Sequence, residues 1–323
     1  MTSKLKSKKD IRKNIRTNIT PNQIKQNIPY YIMMLPGLIA TFVFSYLPIF
    51  GIIIAFKKFN PRAGIWGSPW CGLDNFNFIF NSSDTMIVLR NTLCYNLVFI
   101  FLGLILNVAL AVLLNLVVNK TVSKIYQTII IMPHFLSFVI VSYIVYAFLN
   151  SQAGFVNNSL LKAFGMEGVN WYVTVKPWPF ILTFVHFWKV TGYGSVVYLA
   201  AIAGIDTEIY EASEIDGANR WQQIRYVTIP SIKPVMITMT ILNIGKIFNA
   251  DFGLFYQVPM NSGALYSVTN VINTFVYNTL GQGGITGVGM SSAASFFQSV
   301  VGFVLVLISN SITRKIDSEN AMF

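Results

Sequence analysis

Charge is what this 323-residue chain has little of: 11% of its residues are Asp, Glu, Lys or Arg, against roughly a quarter in soluble globular proteins. That shortage excludes an ordinary water-soluble domain. With 54% hydrophobic residues and a mean hydropathy of +0.57, the composition predicts an all-α integral membrane protein. Cysteine is scarce too, with Cys71 and Cys94 alone, which excludes a disulfide framework and leaves no Cys-based metal site. The two histidines, His134 and His186, both fall in apolar stretches. There is no HExxH, no Ser, His and Asp arrangement and no carboxylate pair in a soluble cleft, so no catalytic residue is assigned and an enzyme is not expected. Walker motifs are absent as well. The glycine run GQGGITGVG at 281–289 lacks a GK[ST] ending, and Gly245 and Lys246 lie in an apolar run. The chain is therefore expected to hold no cofactor, and if ATP drives it, another subunit binds the nucleotide. No internal repeat is visible, which weakens transporter folds built from repeats.

What is there is a set of long apolar runs. A membrane core about 30 Å thick takes roughly 20 helical residues, and six stretches reach that length: about 30–56, 93–117, 125–149, 179–203, 233–255 and 291–312. These predict a six-helix transmembrane domain over residues 30–315, between a basic tail at 1–29 and a short tail at 316–323. Eight basic residues (Lys4, Lys6, Lys8, Lys9, Arg12, Lys13, Arg16 and Lys25) lie in the first tail, where a topogenic or lipid-surface role fits better than nucleic-acid binding. A polar stretch of that length ahead of a full span also predicts no cleaved signal. Counting that tail, the Lys120 and Lys124 turn, the 204–233 loop and the Arg314, Lys315 end, 15 of the 23 basic residues fall on one side. The positive-inside rule then places both termini in the cytoplasm of a multi-pass plasma-membrane protein. Lys57, Lys58 and Arg62 run against it but sit within reach of the interface.

The loops left outside, 57–92, 150–178 and 256–290, carry Trp66, Trp70, Trp171 and Tyr172. Such aromatics suit an interfacial belt or an extracellular partner. Polar groups within the spans are costly and are candidates for a solute pathway. Lys189 and Tyr193 are four apart in the fourth span and share a face beside Trp188. Asn243, Lys246 and Asn249 recur every three residues in the fifth, an arc of about 120° at 100° per residue, with Asp251 beyond them. Amides, a cation and aromatic rings match the hydroxyls and CH faces of a sugar. Both lysines are equally compatible with pairing to carbonyls or neighbouring helices. His134 beside Pro133 reads as packing, and Asn96, Asn107 and Asn115 as helix-to-helix glue.

The most informative stretch is YEASEIDGANRWQQIRYVTIP at 210–230. Five of the twelve acids (Asp206, Glu208, Glu211, Glu214 and Asp216) fall within the eleven residues 206–216, at its start. Two short helices broken at Gly217 are expected, a residue without Cβ permitting the turn, with Pro230 opening the next helix. Glu211, Ala212, Ser213, then Asp216, Gly217, Ala218, then Ile229 and Pro230 resemble the EAA…DGA…(I/L)P loop of permease subunits of ATP-binding-cassette (ABC) importers. Ser213 stands where that family usually has a second Ala. The segments YQTIIIMPHFLSFVIV at 126–141 and VTNVINTFVYNTL at 268–280 are similar to the carbohydrate branch. The resemblance implies a type I importer permease whose coupling helix docks on a cytoplasmic ATPase. It also implies a second permease forming a heterodimer, two ATPase subunits that bind ATP and Mg, and an extracellular solute-binding protein delivering an oligosaccharide. Two other classes stay open: an ion-coupled secondary transporter using Lys189, Lys246, Asp251 and His134, and a non-transporting scaffold or sensor.

Overall fold

The structure, a computed structural model, describes residues 21–77 and 83–316. Residues 1–20 of the expected basic tail and 317–323 of the C-terminal tail lie outside the described residues. The chain forms two units, Met1–Ile53 and Ile54–Phe323.

In the first unit, α1 (Pro21–Thr41) runs through Pro29 and Pro36 and continues as a π turn, Phe42–Tyr46, into a 3-10 segment that begins at Leu47. A proline removes an amide donor from the helix ladder, and the local adjustments keep the chain helical to Phe56. Met33 and Phe44 are each 79% exposed within this unit, an apolar surface suited to a membrane-spanning helix.

The second unit is a bundle built on α2 (Ser83–Asn115) and α5 (Trp178–Ala203), which pack along each other. Between them in sequence come α3 (Lys120–Ile131) and α4 (Phe138–Leu149). After them come α6 (Thr207–Ile215), α7 (Arg220–Gly245), α8 (Ile272–Gln282) and α9 (Gly284–Ile316). One core gathers Tyr95 of α2, Val141 of α4, Trp178 and Leu182 of α5 and Leu254, Phe255 and Val271 of the segment before α8. A second joins Val108, Ala111 and Val112 of α2 to Tyr198 and Ile202 of α5 and Ile232 of α7. A third ties Val88 of α2 to Ile272 of α8 and Ala294 of α9. Gly192 permits the approach of α3 to α5, since a Cβ there would stand 2.1 Å from the carbonyl oxygen of Ile130.

The expected spans are met in part, with two of them broken. By length and apolarity, four helices among the described residues qualify to cross a membrane, or five if one bent pair counts as a single span; the exact count of six is not established by this criterion. The stretch at 179–203 is a helix of 26 residues, but His186, Lys189, Gly192 and Gly194 dilute its apolarity. The stretch at 125–149 is broken, with Lys120–Phe135 and Phe138–Leu149 meeting at 96°. The break is built: Met132–Phe135 tightens to 3-10, Leu136 is extended, and the Ser137 hydroxyl accepts the Ile140 amide at 3.3 Å to start α4. The stretch at 233–255 ends at Gly245, where Lys246 leaves the helix, and Gly253–Gln257 forms a separate π turn. Pro230 stands in the first turn of the α-helical segment Ile229–Gly245, as expected, but that segment is not a separate helix. Thr228 before it is helical, at φ −63° and ψ −56°, and α7 runs continuously from Arg220 through a π turn at Ile224–Thr228.

Candidate functional site

The acidic loop folds as two helices joined by a capped turn. Asp206 starts α6, its carboxylate accepting the Glu208 amide at 3.0 Å. Gly217 ends it at φ +80°. The Ala218 amide donates to the Ser213 carbonyl at 2.9 Å and the Gly217 amide to the Glu214 carbonyl at 3.0 Å, the paired bonds of a Schellman turn. Asn219 then opens α7 with a capping box, its side chain accepting the Gln222 amide at 2.9 Å while the Gln222 side chain accepts the Asn219 amide at 2.8 Å.

Side chains then bind the two helices into one body. Gln223 is buried and donates to the Ser213 hydroxyl at 3.2 Å and the Glu214 carboxylate at 3.3 Å. Tyr210 and Thr228 share a hydroxyl bond at 2.9 Å, and Arg220 meets Glu214 at 3.5 Å. Ser213, the departure from the usual alanine, thus serves as a hinge pin, also donating to the Tyr210 carbonyl at 2.7 Å. Glu211, Ala212, Asp216 and Gly217 remain exposed, and Ala218 is half-buried. Ile215 and Trp221 are 86% and 68% exposed beside those acids, a mixed apolar and acidic surface.

The second feature is a cavity of about 540 Å³ between α2, α5 and α7, within the size range of small-molecule sites. Three of the expected pathway residues, Asn243, Lys246 and Asn249, line it together, and Tyr193 joins them from α5. They meet there although the helix stops at Gly245, because the turn that follows keeps them on the same side. Asn249 is tied to Asn273, whose amide donates to its oxygen at 2.9 Å.

The other three expected pathway residues lie elsewhere. Lys189 is buried and spends its ammonium on the carbonyls of Pro133, His134 and Leu136, with the Phe138 ring 4.9 Å away. It clamps the broken helix to α5. Trp188 borders a different, apolar cavity of about 640 Å³ between α4 and α5. Asp251 caps the π turn, its carboxylate accepting the Leu254 amide at 3.2 Å.

Sequence reasoning missed what the histidines and two asparagines do. His134 stacks on Tyr193 at 4.2 Å and His186 on Phe99 at 3.7 Å, and all four rings border the cavity. Asn96 donates to the Ile247 carbonyl at 2.7 Å, the interhelical role expected of it, while also lining the cavity with Asn107. Their spacing of eleven, three turns of helix, was the available signal. Among the described residues no group of His, Cys, Asp and Glu is arranged to hold a metal ion.

A bundle of long apolar helices, an inner polar cavity and an exposed helical loop define a multi-pass membrane transport protein. Residues 99–318 match the family of binding-protein-dependent transport system inner membrane components, and the chain belongs to that family. It is similar to the protein LplB of Bacillus subtilis strain 168, at 34% identity over 92% of each chain. It is likewise similar to the polygalacturonan/rhamnogalacturonan transport system permease YteP of the same strain, at 33% identity over 90% of this chain and 88% of that one. Among solved structures it resembles, at a TM-score of 0.81 and 33% identity, a chain of a bacterial ABC transporter involved in import of the acidic polysaccharide alginate, over 92% of this chain and 98% of that one. A further match, at a TM-score of 0.81 and 32% identity over 93% and 98% of the two chains, is the alginate transporter in complex with its pentasaccharide-bound periplasmic protein. The chain is accordingly a permease subunit of a binding-protein-dependent ABC importer, a transport component and not an enzyme. Nothing in these relationships supports the ion-coupled alternative.

Proposed function

We propose that this permease forms half of the translocation pathway for an oligosaccharide, in a heterodimer with a second permease. Solute is handed over by an extracellular binding protein, and movement is driven by two cytoplasmic ATPases that hold the ATP and Mg. The saccharide class is supported by the relatives, whose names include polygalacturonan, arabinooligosaccharide and alginate transport. Both termini and the 204–230 loop face the cytoplasm in this reading, in line with the positive charge gathered there. The six-helix permease domain is taken as 30–315, between the 1–29 and 316–323 tails.

The observation that carries the coupling assignment is the loop's build. Glu211, Ala212, Ser213, Asp216, Gly217 and Ala218 form a capped, cross-braced body with an exposed acidic and apolar face. The body is continuous with α7 and only the short 204–206 turn from α5. Those are two of the three helices that enclose the polar cavity. A push on the loop by a closing ATPase therefore reaches the cavity walls through rigid elements, as two-state alternating access requires. Within the cavity, Asn243, Lys246, Asn249 and Tyr193 are the pathway residues, while Lys189, Trp188 and Asp251 support them from outside its lining.

The test is affinity purification of the C-terminally tagged chain from gently solubilised membranes, with mass spectrometry of what accompanies it. An ATPase and a second permease are expected with the wild type, and the ATPase is lost from Gly217→Val. Recovery of the chain alone, under conditions that preserve other complexes, overturns the assignment.

A further inference from the structure

Lys246 is the one Lys, Arg, Asp or Glu side chain among the described residues that line the polar cavity, beside the rings of His134 and His186. The two lysines of this region differ in kind. Lys189 has its ammonium satisfied by three carbonyls. The Lys246 side chain is exposed and, among the described residues, has neither a hydrogen bond nor an ion pair. Asp251, the nearest acid in sequence, accepts the Leu254 amide and is not part of the lining. Asn243, one turn before Lys246, is likewise exposed. Three buried polar atoms without partners, Asn107 Oδ1, His134 Nδ1 and His186 Nδ1, belong to lining residues.

We infer that the cavity selects a carboxylated sugar, a uronic-acid unit of an oligosaccharide, with Lys246 as its counter-charge; this rests on the saccharide reading above. An ammonium inside a membrane protein is expensive unless it is hydrated or paired. A carboxylate passing through supplies the missing anion, and a charge-assisted bond to it is roughly twice as strong as a neutral one. A neutral sugar can use Asn243 and stack on the Tyr193 and Phe99 walls, but it leaves the ammonium unneutralised. Discrimination between the two therefore arises at Lys246, while the rings and amides serve both.

The test compares trigalacturonic acid with galactotriose, which share ring stereochemistry and differ at C6, on the purified importer complex in detergent, by titration calorimetry. The acidic trimer is expected to bind about tenfold tighter or more at low salt, with the margin shrinking as salt rises. Lys246→Gln should erase the margin between the two trimers, while Lys246→Arg keeps it. Equal affinity of the wild type for both trimers overturns the proposal and leaves the saccharide reading standing; it is also what a carboxylate of the second permease paired with Lys246 would produce. A preference that survives Lys246→Gln overturns it too. Binding of neither trimer removes the saccharide reading, and the proposal with it. Because the wild-type comparison decides by itself, a Lys246→Gln chain that fails to fold does not rescue the idea.

Discussion

Lys189→Met is the most informative single substitution, because the clamp and the pathway roles of this lysine predict different losses. Methionine keeps the length and apolar stem but removes three donors from the carbonyls of Pro133, His134 and Leu136. The Pro133 carbonyl also takes the Leu136 amide at 3.2 Å, so the penalty falls mainly on the other two. Each buried acceptor deprived of its donor costs about 1–3 kcal/mol, and removing the buried charge returns part of its desolvation. The net expected loss is about 2–4 kcal/mol. At roughly 2–4 °C per kcal/mol for a domain of a few hundred residues, the unfolding midpoint of the detergent-solubilised chain should fall by about 5–10 °C. Fluorescence-detected thermal unfolding would measure it. Chain that does assemble should keep its solute selectivity, since Lys189 is outside the cavity lining. A midpoint within about 2 °C of wild type, or normal stability with altered selectivity, would refute the clamp.

Further expectations follow from the turn, the close contact and the brace. Gly217→Val places a β-branched residue at φ +80° with nothing within 4 Å of its Cβ; the cost is backbone strain of about 1–2 kcal/mol. Insertion should be normal and ATP-dependent uptake lost, while Gly217→Asn, tolerant of that region, should retain most uptake; equal activity of all three chains would contradict it. Gly192→Ala sets a Cβ against the Ile130 carbonyl, and overpacking of about 1–3 kcal/mol should lower yield and unfolding midpoint together. Gln223→Leu removes the bonds to Ser213 and Glu214 and should leave ATPase binding intact but reduce uptake per ATP hydrolysed. An unchanged ratio would show that the brace is not needed to transmit force.

Local signals were readable in the sequence, and long-range ones were not. Gly217 was legible because an L-residue seldom adopts φ > 0, so an acidic, glycine-centred stretch between apolar runs has few ways to turn. Both ends of α5 and the C-terminal end of α2 followed from apolar length, whereas α2 and α9 start before the apolar stretches, at Ser83 and Gly284. Pro230 marked the start of the segment Ile229–Gly245, but nothing local showed that a π turn at Ile224–Thr228 joins it to Arg220. The break at Leu136 and Ser137 was half visible in Pro133, but its stability comes from Lys189, more than fifty residues away. The same distance hid the lysine's partners, which is why both lysines had equal standing as pathway residues. Only the fold separates one with three carbonyls from one that faces a cavity.

The central claim, that the 206–223 body is the surface an ATPase pushes on, is best tested by cross-linking in native membranes. A cysteine is placed at exposed Ala212, with Cys71 and Cys94 changed to serine, and a short reagent that couples to the thiol at one end and photo-cross-links to any nearby residue at the other is applied with and without nucleotide. The account predicts one cross-linked partner, an ATPase subunit, with a yield that changes when ATP binds. A chain that cross-links to no ATPase, although cysteines at Ala212 and Trp221 are both labelled freely by the reagent, would contradict it.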